Sequence, residues 1–193
     1  MACEIRKTKL WYTYDSDSEM LLAHHNTEIV EPSTTNLTSL KCPSGWLQVF
    51  RSTYNWCFLV VAANGVTSNE AEQSCYNKGG TLAGFLNDAE RQAVADIATS
   101  SKINNFYLFV GAVRMSTCMK GGSTNLLSAA YNWTDGFTPT ENEIQFATGQ
   151  PDCTGYCVGM LLLGSDIGML DDIGCATTSV IAGYICGMQA AIS

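Results

Sequence analysis

Proline is scarce in this chain, four residues in 193, and charged side chains make up only 15%. No apolar run approaches the roughly 18 residues that a membrane-crossing helix needs. The longest, Val158 to Leu163, is short and is interrupted by Gly159. A helical membrane span is therefore excluded. No Lys or Arg follows Lys120, whereas Asp135, Glu141, Glu143, Asp152, Asp166, Asp171 and Asp172 all do. A surface of that one sign repels phosphate backbones and attracts cations, which argues against nucleic acid as a partner. There is no CxxC pair, and the two histidines, His24 and His25, are far in sequence from any cysteine. Structural zinc is accordingly disfavoured. No apolar leader is visible: residues 1–20 include Glu4, Arg6, Lys7 and Lys9. Met1-Ala2 reads as a start added to a mature chain whose signal segment was removed.

What is abundant is cysteine, nine in all, with 46% hydrophobic residues and a formal net charge of −8. That cysteine density belongs to oxidising compartments, where disulfides persist. Asn36-Leu37-Thr38 and Asn132-Trp133-Thr134 are N-glycosylation sequons and agree with a secreted, extracellular glycoprotein. The length suits one domain with an appendage.

Residues 1–41 read as an N-terminal extension and linker. Trp11 to Tyr14 is a candidate short strand, and Pro32 to Ser39 is polar and turn-prone. The domain is expected over 42–188, with a tail over 189–193. Thr67-Ser68-Asn69-Glu70 forms a capping box for a first helix running to about Asn77 and stopped by Gly79-Gly80. Asn87-Asp88-Ala89-Glu90 opens a second helix in the same way, with Ala89, Ala93, Val94, Ile97 and Ala98 as its apolar face. Elsewhere the apolar stretches are short and β-rich: 46–50, 56–61, 106–113, 129–133, 157–163 and 180–186. Two early helices followed by short strands describe an α+β domain.

With its cysteines included, the region from Cys42 to Met188 resembles a C-type lectin-like domain. The resemblance rests on Cys42-Pro43-Ser44-Gly45-Trp46 with Trp56-Cys57, on Ala71 to Cys75 with Gly79 to Ala83, and on Phe109-Val110-Gly111-Ala112. It continues through Trp133-Thr134-Asp135-Gly136, Cys157-Val158, Cys175 and Ile185-Cys186-Gly187. The spacing looks most like secreted nematode members. The resemblance implies two helices packed on short antiparallel sheets, a long loop, and the disulfides Cys42–Cys57, Cys75–Cys186 and Cys157–Cys175. Cys118 and Cys153 remain in the long-loop region and are expected to pair. Cys3 is then the odd cysteine, a candidate for linking two chains into a disulfide-bonded homodimer.

The resemblance also implies a calcium and sugar site. Gln150-Pro151-Asp152 is similar to the family's galactose-type tripeptide, and Leu170-Asp171-Asp172 stands where Trp-Asn-Asp is usual. Gln150, Asp152, Asp171 and Asp172 are thus the expected ligands for calcium and for carbohydrate. Calcium seeks roughly six to eight oxygens, and the set predicts binding near the weak extracellular end of about 10⁻⁴–10⁻³ M. Gly155 occupies the place of a further Glu ligand, and the sugar-stacking aromatic of galactose-type members is missing unless Tyr156 substitutes for it.

The function this implies is a secreted, calcium-dependent lectin for galactose or N-acetylgalactosamine, with glycans or glycoproteins as partners. The alternative is a calcium-independent protein-binding or host-modulating module of the same fold, motivated by Gly155 and by the short, cysteine-bearing loop. No enzyme is expected. The cysteines look committed to bridges, both histidines sit in the appendage, and adjacent strand residues such as Asp171 and Asp172 point to opposite faces.

Overall fold

The computed structural model describes residues 40–103, 106–118, 130–139 and 146–192. Trp11 to Tyr14, Cys3, both histidines and the first sequon lie outside the described residues.

The first hairpin pairs β2 (Leu47–Arg51) with β3 (Tyr54–Ala62), and Cys42–Cys57 pins its open end. Helix α1 (Ser68–Tyr76) starts as expected. The Thr67 hydroxyl accepts from the Glu70 amide at 3.3 Å, and the Glu70 carboxylate accepts from Thr67 N–H at 2.8 Å. The Thr67 N–H, and then the Thr67 hydroxyl, hold the Glu70 carboxyl below its usual value. The helix ends at Asn77, ahead of Gly79 at φ +84°. Strand β4 (Thr81–Leu82) follows and is tied back to α1 by the Glu72 carboxylate, which accepts from both Thr81 and Leu82.

Helix α2 (Asp88–Ser100) departs from the expected reciprocal cap. The Asn87 side chain accepts from the Glu90 amide at 3.0 Å, but the Glu90 carboxylate turns into the core. It receives Arg51 Nε at 2.8 Å and Nη2 at 2.7 Å, as well as Leu86 N–H at 2.7 Å. The buried face of α2 is consequently Glu90, Arg91, Val94, Ala95 and Ala98, while Ala89 and Ile97 are exposed. The expected apolar stripe is rotated because two charged residues have partners inside the fold, which apolarity alone does not signal.

Strands β5 (Tyr107–Arg114), β6 (Tyr131–Trp133), β7 (Cys157–Leu161), β8 (Leu170–Ile173) and β9 (Ile181–Gln189) complete the main sheet. Its order is β2-β3-β9-β5-β7-β8, with β4 on β9 and β6 on β5. The β5–β9 pair is parallel and the other pairings are antiparallel. Strand β8 lies outside the apolar stretches read as strands, since half of its residues are aspartates. A two-stranded ribbon joins β1 (Leu40–Lys41) to β10 (Ala191–Ile192), so pairing extends beyond the expected 42–188 bounds at both ends.

Central strand β5 is buried on both faces. Leu108, Val110 and Ala112 pack with Trp56, Phe85, Val158, Met160 and Ile185, and Phe109 packs with Ala71, Ile173, Ile181 and Tyr184. Gly111 is required here, because a Cβ would fall on the Leu82 carbonyl oxygen. Cys75–Cys186 joins α1 to β9 across 111 residues. Closing a loop of that scale stabilises by roughly 4–5 kcal/mol in the chain-entropy model. Cys157–Cys175 and Cys118–Cys153 complete the four expected bridges.

A polar network sits inside this shell. Arg51, Glu90, Asp135 and Thr138 are all buried. Arg51 donates to Glu90, to Thr138 Oγ1 at 3.1 Å and to the Gly84 carbonyl at 3.0 Å, and its guanidinium lies 4.5 Å from the Trp56 ring centroid. Asp135 accepts from Gly84 N–H, Phe137 N–H, Thr138 N–H and the Thr138 hydroxyl, between 2.6 and 3.0 Å. Burial opposes the Arg51 charge, but its hydrogen bonds to Glu90 outweigh that and raise its pKa.

Candidate binding site in the β6–β7 loop

The β7–β8 hairpin places the expected acidic pair. Val158 lies opposite Asp172 and Gly159 opposite Asp171, so the two carboxylates leave opposite faces of the strand. Asp172 points toward the β6–β7 loop. Its Oδ1 accepts from Asp152 N–H at 2.8 Å and its Oδ2 from Gly155 N–H at 2.6 Å. Both oxygens of this buried carboxylate are therefore engaged by loop amides.

Several further bonds fix the same loop. The Gln150–Pro151 peptide is cis. Gln150 Oε1 also accepts from Asp152 N–H, at 2.9 Å, and Asp152 Oδ1 accepts from Thr154 N–H at 2.8 Å and from the Thr154 hydroxyl. The Tyr131 hydroxyl donates to the Gly155 carbonyl at 3.0 Å, and Arg114 Nη1 donates to the Cys153 carbonyl. Burial, then the neighbouring Asp172 carboxylate, hold the Tyr131 phenol well above its usual value. The Cys118–Cys153 bridge anchors the loop covalently, with Cys153 at φ +61°.

Gly155 has no room for a side chain. A Cβ there would fall on the Ile173 amide nitrogen and the backbone of Asp172. The position where the family places a Glu is thus filled by backbone packing against β8.

Asp171 goes elsewhere. It is 9% exposed and accepts from the Tyr107 hydroxyl at 2.5 Å, while its Oδ1 is buried without a hydrogen-bond partner. Burial is the main cause that raises its pKa, and the Asp172 and Asp152 carboxylates add to the shift. The structure therefore brings Gln150, Asp152 and Asp172 together and sends Asp171 to the other face.

These residues fit a calcium ion poorly: each Asp172 oxygen already accepts a loop amide, Asp171 leaves the opposite face and Gly155 offers no carboxylate. Among the described residues, no group of three or more His, Cys, Asp or Glu side chains is close enough to hold a metal.

What the loop presents outward is Asp152, Thr154 and Tyr156, the last 54% exposed, with the Arg114 guanidinium 5.8 Å from its ring centroid. Arg114, Tyr131 and Thr154 were not anticipated in the sequence reading. The available signal was Arg114 itself, the last Arg of a chain that then turns acidic. A depression of about 300 Å³ between Gly79–Thr81 and Gly187–Gln189 is lined by no charged side chain.

A type-2 ice-structuring protein of Brachyopsis segaliensis is 29% identical over 147 residues, covering 76% of this chain and 73% of that protein. The crystal structure of a calcium-independent type II antifreeze protein superposes with a TM-score of 0.55 at 25% identity, over 79% of this chain and 97% of the other. A calcium-independent C-type lectin from Saxidomus purpuratus superposes at 0.56 and 23% identity, over 76% of this chain and 93% of the other. C-type lectin-like domains are generally binding proteins without enzymatic activity. Residues 48–149, slightly more than half of the chain, match the model of the C-type lectin domain-containing protein 141/158 family, and the chain belongs to that family.

Proposed function

We propose that this domain is an extracellular recognition module that binds glycans or glycoproteins without calcium, through the loop surface around Asp152, Thr154 and Tyr156. The observation that carries this reading is the capture of both Asp172 oxygens by the Asp152 and Gly155 amides. In a calcium-dependent lectin that carboxylate would ligand the ion, and loop order would depend on the metal. Here internal hydrogen bonds and Cys118–Cys153 supply the order. A preorganised loop loses less conformational freedom when it binds. Tyr156 offers an exposed aromatic face beside the acceptors of Asp152 and Thr154, a combination suited to a polyhydroxyl ligand. The type II antifreeze protein at 25% identity is described as calcium-independent, which supports the same reading. Four disulfides support an extracellular location. Among the described residues, no helix is long and apolar enough to cross a membrane.

The contrasting reading keeps Gln150-Pro151-Asp152 as a calcium-dependent galactose or N-acetylgalactosamine site. Thermal unfolding in chelator and in millimolar calcium separates the two. The expected result is one melting temperature in both conditions, with glycan-array binding unchanged by chelator. A ligand that binds only the folded state raises stability by mass action. A calcium-dependent rise in melting temperature, with binding lost on chelation, would restore the galactose-type reading.

A further inference from the structure

We infer that Asn132 is the attachment point of an N-linked glycan in the secreted protein. Asn132-Trp133-Thr134 has the acceptor pattern, and the fold sorts its three side chains in the way a glycan requires. Trp133 is buried and packs edge-on against Phe85, with ring centroids 5.9 Å apart. Asn132 and Thr134 are exposed. The cause is strand alternation in β6, whose burial runs inward at Tyr131, outward at Asn132 and inward at Trp133. The tryptophan therefore anchors the segment while the acceptor amide faces solvent.

The register also decides what the glycan would cover. Asn132 pairs with Val113, and Tyr131 pairs with Arg114. Neighbours along a strand face opposite sides, so Asn132 leaves the face opposite to Tyr131. Tyr131 reaches the Gly155 carbonyl, and Arg114 reaches the Cys153 carbonyl. A sugar chain on Asn132 thus projects away from the loop surface. Among the described residues β6 pairs only with β5, and a bulky hydrophilic group beside that free edge would also block edge-to-edge association.

The chemistry is a glycosyl transfer from a lipid-diphosphate-linked oligosaccharide. The Asn132 amide nitrogen attacks the anomeric carbon and a C–N bond forms. The bond from that carbon to the phosphate oxygen breaks, the lipid diphosphate leaves with the electron pair, and the amide gives up one proton. The inference rests on passage through the secretory compartment and is independent of how the loop treats calcium.

The test is secretion of the full chain, behind a cleavable leader, from a eukaryotic host. Protein from the medium is treated with an N-glycan-releasing amidase in heavy-oxygen water and peptide-mapped. Asn132 is expected to appear as heavy-oxygen-labelled Asp. Asn132→Gln should remove one glycan-dependent mobility step. Thr134→Ala should do the same while leaving the asparagine in place, and Thr134→Ser should retain the step. The Thr134 pair keeps the test informative if Asn132→Gln fails to be secreted. Secreted protein with unmodified Asn132 would overturn the inference, whether or not Asn36 is occupied.

Discussion

Glu90 and Asp172 are both buried carboxylates with both oxygens hydrogen bonded, yet Glu90 faces a guanidinium and Asp172 faces backbone amides. The Glu90 network joins β2, α2 and the turn after β6, all parts of the shell. Its charge is balanced by Arg51, and Asp135 closes the remaining donors. The Asp172 network joins a strand to a surface loop, and among the described residues no cationic side chain is bonded to the carboxylate. Amide donors stabilise an anion without neutralising it, which gives the loop order while leaving the region acidic. Similar burial thus serves two ends, cohesion of the core in one case and preorganisation of a surface in the other.

Glu90→Ala should have the largest effect on stability. It strands Arg51, 2% exposed, over Trp56 without its charge partner. Removing one member of a buried pair costs about 3–5 kcal/mol. Chemical denaturation of the variant should show that loss with the slope unchanged. A loss below about 1 kcal/mol would mean that the Arg51–Glu90 pair contributes no more than an exposed one.

How much of this was legible in sequence follows from the range of each interaction. Thr67 with Glu70 was readable because both partners lie within one helical turn. Asn87 with Glu90 has the same spacing, yet Glu90 answers to Arg51, 39 residues away, and no local pattern marks that choice. The rotated face of α2 has the same origin. Trp133-Thr134-Asp135-Gly136 was recognised as a turn, but Asp135's part in capping Gly84 and Thr138 needed the folded chain. The four bridges matched what the resemblance implied and what the leftover pair in the long loop suggested. In β8 the strand alternation turns Asp171 and Asp172 to opposite faces, which their adjacency in the family-like tripeptide does not signal.

Asp172→Ala removes the acceptor that the loop amides share. Asp152 N–H keeps Gln150 as an acceptor, but the buried Gly155 N–H loses its carboxylate. An unsatisfied buried donor costs about 1–3 kcal/mol. The variant should lose stability within that range, with equal loss in chelator and in calcium, and amide exchange at Gly155 should quicken. Unchanged or greater stability would mean that the carboxylate is a source of repulsion and not a clamp. Gly155→Ala sharpens the result, since its Cβ collides with β8 backbone and should disturb the same amides with Asp172 intact. Overpacking of that kind costs typically about 1–3 kcal/mol.

The smallest expected effect belongs to Asp171, the buried carboxylate that neither network satisfies. Its folded-state pKa lies above the ordinary 3.8, chiefly through burial, with the Asp172 and Asp152 charges adding to it and the Tyr107 hydroxyl opposing it. The folded state therefore holds this proton more tightly than the unfolded chain does. Where the folded state binds more protons, stability falls as pH rises. That penalty is absent below pH 3.8, grows as pH climbs through the folded-state value, and is fully present above it. Asp171→Asn keeps an acceptor for the Tyr107 hydroxyl and removes the titration. Measured by denaturation across the acidic range, the variant should gain on the wild type as pH rises. The Tyr107 phenol, held up by burial and by its bond to Asp171, should ionise at lower pH in the variant. Parallel pH profiles for the two proteins would show that Asp171 ionises as freely in the fold as outside it, and the contrast between the satisfied and unsatisfied faces of β8 would then fail.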